Sequence, residues 1–205
     1  MKLQKILPAF AFVFGLASIA NVNAATVSYS DANTFATNST GLSTIDFNSG
    51  SSGVTAHGSS YTESGVTFSA GRVYSINDVN YDAPYHQDGF LDLEGNLLGM
   101  SFTTPITALG FNFGGFFENP VQLNISLGNG DSFTASTSAG YGFFGVTTDT
   151  PFSVISITTA NSFTAVDNVS YGSAAVPEPT TVALLGLGLL GFAASRRKSA
   201  NNKNA

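Results

Sequence analysis

The middle of the chain, residues 26–171, alternates short apolar and polar runs in the manner of β-strands. Along Val121–Leu127, for example, every second side chain is apolar, so one face of that segment can be buried. Clusters of Gly, Asn, Asp, Ser or Pro separate such segments, and no convincing 3.6-residue helical period occurs. The pattern predicts strands at 26–30, 43–47, 65–69, 73–76, 90–93, 97–102, 106–113, 121–127, 132–136, 143–147, 152–158 and 163–171.

Together these segments predict an all-β fold. About ten to twelve short strands at this spacing are typical of an antiparallel β-sandwich of jelly-roll or lectin-like type. The Asn129-Gly130 pair between two alternating runs predicts a hairpin turn. Fourteen of the 18 Phe residues fall between Ala25 and Ala175, and they supply apolar surface for a core in a chain that has no cysteine.

The N-terminal segment has the three parts of a secretory signal peptide. Lys2 and Lys5 precede an apolar run at residues 6–20, and small residues then lead to Ala24. We expect signal peptidase to cut between Ala24 and Ala25, so that the mature protein lies outside the cytoplasm. A first transmembrane helix is less favoured, because the run is short and lacks stop-transfer charges after it.

Near the C-terminus, Pro177, Glu178 and Pro179 form a motif that cannot lie inside a helix or a central strand. We therefore expect an exposed, extended stretch at this point. A processing enzyme needs that backbone geometry in a substrate.

A short apolar segment and a basic cluster follow the motif. Residues 182–194 are all apolar or Gly, and a helix of this length reaches only about 20 Å, against about 30 Å for the hydrocarbon layer. The basic cluster is Arg196, Arg197 and Lys198, which should stay on the cytoplasmic side and leave the main domain outside.

This order of parts, from Val176 to Lys198, resembles the PEP-CTERM sorting signal of bacteria that make extracellular polysaccharide. The resemblance implies recognition by an exosortase, a membrane enzyme that cleaves near the Pro-Glu-Pro motif and sends the protein to the cell surface or matrix. The predicted organisation is a signal peptide at 1–24, an exported sandwich at 25–175, a sorting or anchor segment at 176–200 and a disordered tail at 201–205.

The charges are distributed unevenly. Between Ala25 and Ala175 the chain has twelve acidic side chains and a single cation, Arg72, which gives a formal charge of −11. A nucleic-acid binder that follows the phosphate backbone needs many Lys and Arg residues, so that class is excluded. The absence of cysteine also excludes thiol nucleophiles, thiolate zinc sites and disulfides.

Catalytic chemistry has few candidates. Asp92 and Glu94 are two residues apart on a predicted strand, and they therefore share a face at roughly 7 Å, a separation used by glycoside hydrolases. An exposed polar strand face gives the same pattern. The two histidines, His57 and His86, are not accompanied by a G-x-S-x-G nucleophile motif, so nucleophilic catalysis is disfavoured.

Calcium is the cofactor that the acidic residues allow. Asp78 and Asp82 lie in an acidic stretch that imitates a calcium loop, although the Gly and Glu that an EF-hand requires are missing. Asp46 and Asp167 resemble the first-strand and last-strand acids that bind structural calcium in some lectin-like sandwiches. The alternative, favoured for all four, is a role as turn and edge residues that keep the surface soluble.

The function predicted from the sequence is that of a non-enzymatic, exported protein of the cell surface or extracellular matrix, held for a time in the inner membrane before release. A carbohydrate-binding module, with or without calcium, is the alternative; exopolysaccharide would be its partner and the aromatic runs at 114–117 and 141–145 its sugar platform. A glycan hydrolase that uses Asp92 and Glu94 ranks third.

Overall fold

The fold is known from a computed structural model, which describes residues 26–49, 52–77, 89–115, 120–138, 140–161 and 163–175. The described part is almost entirely antiparallel β-sheet, so the predicted all-β sandwich is confirmed. The elements in chain order are β1 Val27–Tyr29, α1 Ala32–Thr37, β2 Ser39–Ile45, β3 Gly53–Ala56, β4 Ser60–Glu63, β5 Val66–Ser69, β6 Arg72–Asn77, β7 Phe90–Glu94, β8 Leu97–Gly115, β9 Val121–Leu127, β10 Ser132–Thr137, β11 Tyr141–Thr159 and β12 Phe163–Ala174.

Two long strands, β8 and β11, pass through both layers of the sandwich. In the first layer the strand order is β3-β6-β7-β12-β8-β11, and β1 pairs with β11 while β2 pairs with β12. In the second layer the other halves of β8 and β11 pair with each other, with β5 on one side and β9 on the other. Strands that change layer in this way hold the two sheets together.

Proline marks the position at which each long strand changes layer. Pro105 of β8 is exposed, and the β8–β11 register shifts between Thr147 and Phe152, around Pro151 of β11. Proline has no backbone N–H to donate, so it is tolerated in a sheet where the pairing is interrupted. The sequence predicted that one strand ends before each proline and another begins after it. The structure shows one continuous strand in both cases.

The main hydrophobic core lies between the two layers. Its buried side chains alternate along the strands, and it includes Leu123 and Ile125 from β9 as well as Leu91 and Leu93 from β7. A second, smaller cluster lies on the outer face of the first layer, where Ile76, Phe90 and Ala165 are buried. Strand β7 is therefore buried on both faces.

Helix α1 was not predicted from the sequence. It has only six residues, and Asp31 caps it by accepting a hydrogen bond from the Thr34 N–H at 2.8 Å. Its one buried side chain, Phe35, packs on the outer face of the first layer. A Cβ at Gly110 or at Gly145 would lie 2.8 Å from the Phe35 ring, so two glycines make room for it.

The hairpin predicted at Asn129-Gly130 is confirmed, because β9 and β10 pair in register across it.

The predicted signal peptide, Pro-Glu-Pro motif, C-terminal apolar helix and basic cluster lie outside the described residues. Among the residues that are described, no helix is long and apolar enough to cross a membrane.

Candidate functional site

The outer face of the first layer brings together the carboxylates singled out in the sequence. On β7, Asp92 and Glu94 share this face, as their spacing predicts. The register pairs Asp92 with Tyr74 and Glu94 with Arg72 of the neighbouring strand β6. On the other side of β7, Ala165 of β12 pairs with Asp92. We call the group Arg72, Tyr74, Asp92 and Glu94 the β6–β7 cluster.

Asp92 is the unusual member of the β6–β7 cluster. Its side chain is 6% exposed, and in the part of the chain that the structure describes its Oδ1 atom has no hydrogen-bond partner. Burial, and secondly the nearby charge of Glu94, raise the pKa of Asp92 to about 7. Both causes disfavour the ionised form, so this carboxyl group exists partly as the neutral acid near neutral pH.

Glu94 lies in a different environment from Asp92. Its side chain is one-third exposed and forms an ion pair with Arg72, with 3.8 Å between Oε2 and the guanidinium Nη1. Arg72 itself is 67% exposed. Two carboxyl groups on one face therefore lie in different environments, because Asp92 is buried and Glu94 is partly solvated and paired with a cation.

A shallow pocket of about 200 Å³ opens beside the β6–β7 cluster. It is lined by Ala56, Gly58, Arg72, Val73 and Tyr74. Ala56 and Asp92 are the two register partners of Tyr74, on its opposite sides, so Tyr74 lies between the pocket and the buried carboxyl group. Arg72 and Tyr74 thus line the same pocket. The sequence patterns gave no indication of this pocket because its residues come from separate strands.

His57 lies at the edge of the sandwich in a local hydrogen-bonded pair. Its Nε2 atom is 2.8 Å from the Ser75 Oγ, and its ring lies 4.4 Å from that of Tyr61. In the described residues no carboxylate is bonded to the other nitrogen of the ring. The pair therefore lacks the third group that orients the histidine in a catalytic triad. His86 lies outside the described residues.

Two of the four calcium candidates lie in the described residues: Asp46 follows β2 directly, and Asp167 is on β12, the strand that pairs with β2. Asp46 is exposed and accepts a hydrogen bond from the Asn48 N–H, whereas Asp167 is buried and accepts one from the Asn168 N–H at 2.6 Å. Asp78 and Asp82 lie outside the described residues. Within the described ranges, no three His, Asp or Glu side chains are grouped closely enough to hold a metal ion.

The predicted aromatic sugar platform at 141–145 lies among the described residues, whereas Phe116 and Phe117 of the run at 114–117 lie outside them. Phe144 is buried in the main core, where its ring packs against Phe111 and Phe133. Phe143 is half-buried and packs against Phe35 of α1. Packing of this kind is typical of core aromatic side chains, whereas Tyr141 of the same run is only half-buried.

Comparison with protein families identifies the C-terminal segment. Residues 175–198 match the model of the PEP-CTERM protein-sorting motif. The match contains Pro177, Glu178 and Pro179 as well as the basic cluster. The chain therefore has the sorting signal expected from its sequence, and this signal is that of an exported protein sorted at the membrane by an exosortase.

The other comparisons add little. No curated protein matches the chain. Among solved structures, the catalytic domain of a GH87 α-1,3-glucanase in complex with tetrasaccharides overlaps with a TM-score of 0.36 at 12% identity, over 67% of this chain and 29% of that one. The catalytic unit of the thermostable GH87 α-1,3-glucanase from Streptomyces thermodiastaticus strain HF3-3 overlaps with a TM-score of 0.34 at 10% identity, over 67% and 28%. The chain spans less than a third of either structure, and these scores support no conclusion about activity.

Proposed function

We propose that this protein is a non-enzymatic β-sandwich that is exported, processed through its C-terminal signal and released to the cell surface or the extracellular matrix. The observation that carries the proposal is the sorting-motif match at residues 175–198, which begins where the last strand of the sandwich ends. In this proposal the sandwich is the part that is exported, and the C-terminal signal directs its sorting.

The chemistry of the signal fits this role. Because proline restricts its own backbone and that of the residue before it, we expect an extended stretch around Glu178, which is the form in which proteases bind their substrates. The apolar segment at 182–194 is too short to span a bilayer comfortably, so it holds the chain weakly. Removal of the signal peptide takes away two cations and cleavage at the motif takes away four, which leaves the domain with its charge of −11.

The test is a triple alanine substitution of Pro177, Glu178 and Pro179 in the full chain, expressed in a host that has an exosortase. We expect a longer, membrane-retained form, detected by mass spectrometry of both termini in membrane and released fractions. The matched control is Thr180→Ala with Thr181→Ala, which leaves the motif intact and should be processed like the wild type. Normal release of the triple variant would overturn the proposal.

A second candidate function is carbohydrate binding at the pocket beside the β6–β7 cluster. The observation that favours it is the combination of Arg72 and the Tyr74 ring in one pocket, with Glu94 adjacent. Guanidinium and carboxylate groups bind sugar hydroxyls through charge-assisted hydrogen bonds, and an aromatic ring packs against the apolar face of a sugar. The volume of about 200 Å³ suits a single sugar unit rather than a long oligosaccharide.

Glycan-array binding by the processed domain tests this second function. Arg72→Ala should abolish binding, while Arg→Lys at the same position should weaken it, because lysine lacks the planar fork of donors. Repeating the array with a chelator tests the calcium proposal, for which Asp46, Asp78, Asp82 and Asp167 are the candidate ligands. Binding unchanged by Arg72→Ala would remove the pocket from consideration.

Glycan hydrolysis remains the third proposal. It is supported by the unequal environments of Asp92 and Glu94, since an acid with a raised pKa beside an ionised carboxylate is the arrangement that glycoside hydrolases use. A double variant, Asp92→Asn with Glu94→Gln, should lose any hydrolytic activity found in the wild type. Full activity in that variant would dispose of this assignment.

A further inference from the structure

The first described strand, β1, begins at the same end of the sandwich at which the last strand, β12, ends. Val27 of β1 pairs with Thr147 of β11, Thr147 with Ala108 of β8, and Ala108 with Gly172 of β12. Neighbouring strands are about 4.8 Å apart, so these three steps separate Val27 from Gly172 by about 14 Å. Each pairing is antiparallel, so β12 leaves the sheet at the end where β1 enters it.

The end of β12 is bound firmly to the domain. The Ala174 N–H donates to the Thr107 Oγ1 at 2.9 Å, and the Ala175 N–H donates to the Asn38 carbonyl at 2.8 Å. Pro177 follows only two residues later, and two residues of fully extended chain reach at most about 7 Å. The length of the chain alone therefore keeps the start of the motif, Pro177, within about 7 Å of the anchored Ala175.

The start of β1 is bound in the same region. The Thr26 Oγ1 donates to the Asp131 carboxylate at 2.8 Å and lies 3.1 Å from the Thr148 Oγ1. The expected signal-peptidase site, between Ala24 and Ala25, comes just before this anchored residue. Both sites of cleavage are thus connected by very short segments to one end of the domain.

We propose that this end, defined by Thr26, Asn38, Thr107 and Ala175 and here called the processing end, is the surface that the membrane-bound processing enzyme contacts when it cuts the sorting signal. The inference rests on the proposed function. A protease must enclose the backbone on both sides of the bond that it cuts, and the short connection leaves no space between the motif and the domain. The enzyme therefore has to accommodate the processing end itself, with the sandwich standing end-on to the membrane.

The absence of cysteine allows a clean steric test. A single cysteine at Thr37, which is exposed next to Asn38, places a label at the processing end. A single cysteine at Ala160, also exposed, places it just before the start of β12. The twelve residues of β12 span about 40 Å, so the second label lies at the opposite end of that strand.

The experiment attaches a bulky polyethylene glycol maleimide to each full-length variant and measures cleavage by membranes that contain the exosortase. We expect the label at Thr37→Cys to slow cleavage by about tenfold or more through a direct clash, and the label at Ala160→Cys to leave the rate unchanged within about twofold. Both variants should be cleaved like the wild type without the label. Equal rates for the two labelled variants would overturn the inference.

A linker provides the second measurement. About twelve Gly and Ser residues inserted between Ala175 and Val176 extend the reach to roughly 20 Å, which should restore cleavage of the chain labelled at Thr37→Cys. A block that persists despite the linker would also contradict the inference. Failure of the proposed function is distinguishable, since in that case the unlabelled wild-type chain would not be cut in an exosortase-dependent way.

Discussion

Glu94 lies two residues beyond Asp92 on the same face of β7, and its negative charge adds to the burial that raises the pKa of Asp92. The pair is asymmetric, because Glu94 has Arg72 as an ionic partner, whereas no described residue forms a hydrogen bond with the Oδ1 atom of Asp92. Ionisation of Asp92 therefore destabilises the folded state, and the free energy of unfolding should depend on pH for this reason.

Asp92→Asn should remove part of the pH dependence of folding. An acid whose folded pKa of about 7 exceeds its unfolded value favours folding fully below about pH 4 and loses that contribution as the pH rises to about 7. Between pH 4 and pH 8 the free energy of unfolding of the variant should rise by about 2–4 kcal/mol relative to the wild type. Urea denaturation at both pH values checks this, with the exposed Asp149→Asn as the control. Parallel pH profiles for Asp92→Asn and the wild type would contradict the prediction.

Glu94→Gln should lower the pKa of Asp92 without returning it to the value of a solvated aspartate. The reason is that burial is the larger cause of the shift and the charge of Glu94 is the smaller one. The measurement is a carboxyl ¹³C NMR titration of Asp92 in the wild type and the variant. Asp149→Asn, which leaves the β6–β7 cluster unchanged, should not move the titration, and an unchanged midpoint in Glu94→Gln would refute the assigned contribution.

Thr164→Val should stabilise the protein. The Thr164 Oγ1 is fully buried and has no hydrogen-bond partner among the described residues, so a methyl group of nearly the same shape removes an unsatisfied polar atom at a gain of about 1 kcal/mol. Thr147→Val is the matched control, because the Thr147 hydroxyl lies 3.0 Å from the Tyr29 hydroxyl and its loss should destabilise. Denaturation midpoints of the two variants should move in opposite directions, and a destabilised Thr164→Val would show that the hydroxyl has a partner in solution.

Gly110→Ala should destabilise the attachment of α1. The added Cβ would lie 2.8 Å from atoms of both the Phe35 and the Phe143 rings, and such overpacking costs about 1–3 kcal/mol. A smaller side chain in Phe35→Leu should reduce this cost, so a double-mutant cycle is expected to show favourable coupling between the two substitutions. Additive effects in the cycle would mean that the ring and the glycine do not interact.

Most of the strands were predictable because apolar and polar residues alternate with a two-residue period along a half-buried strand. The signal worked well for β9 and β10, where buried and exposed residues alternate and a turn pair joins them. It failed for α1, since six residues with one buried side chain make no helical period. It also missed β3 and β4, which lie at sheet edges and bury little apolar surface.

The candidate site was predictable only in part. The shared face of Asp92 and Glu94 follows from strand geometry, and it was found from their spacing. The partners of that pair, Arg72 and Tyr74, could not be found in this way, because the register between β6 and β7 depends on how the strands pair in three dimensions.

The sequence by itself determined the sorting signal, the all-β class and the acidity of the exported domain. These are local or additive properties: the Pro-Glu-Pro motif is a short run of adjacent residues, alternation is visible along one strand, and charges are counted. Only the tertiary structure decided that Asp92 is buried and that β1 and β12 meet the same end of the sandwich. Burial and strand order arise from contacts between residues far apart in the chain, and no short stretch of sequence contains them.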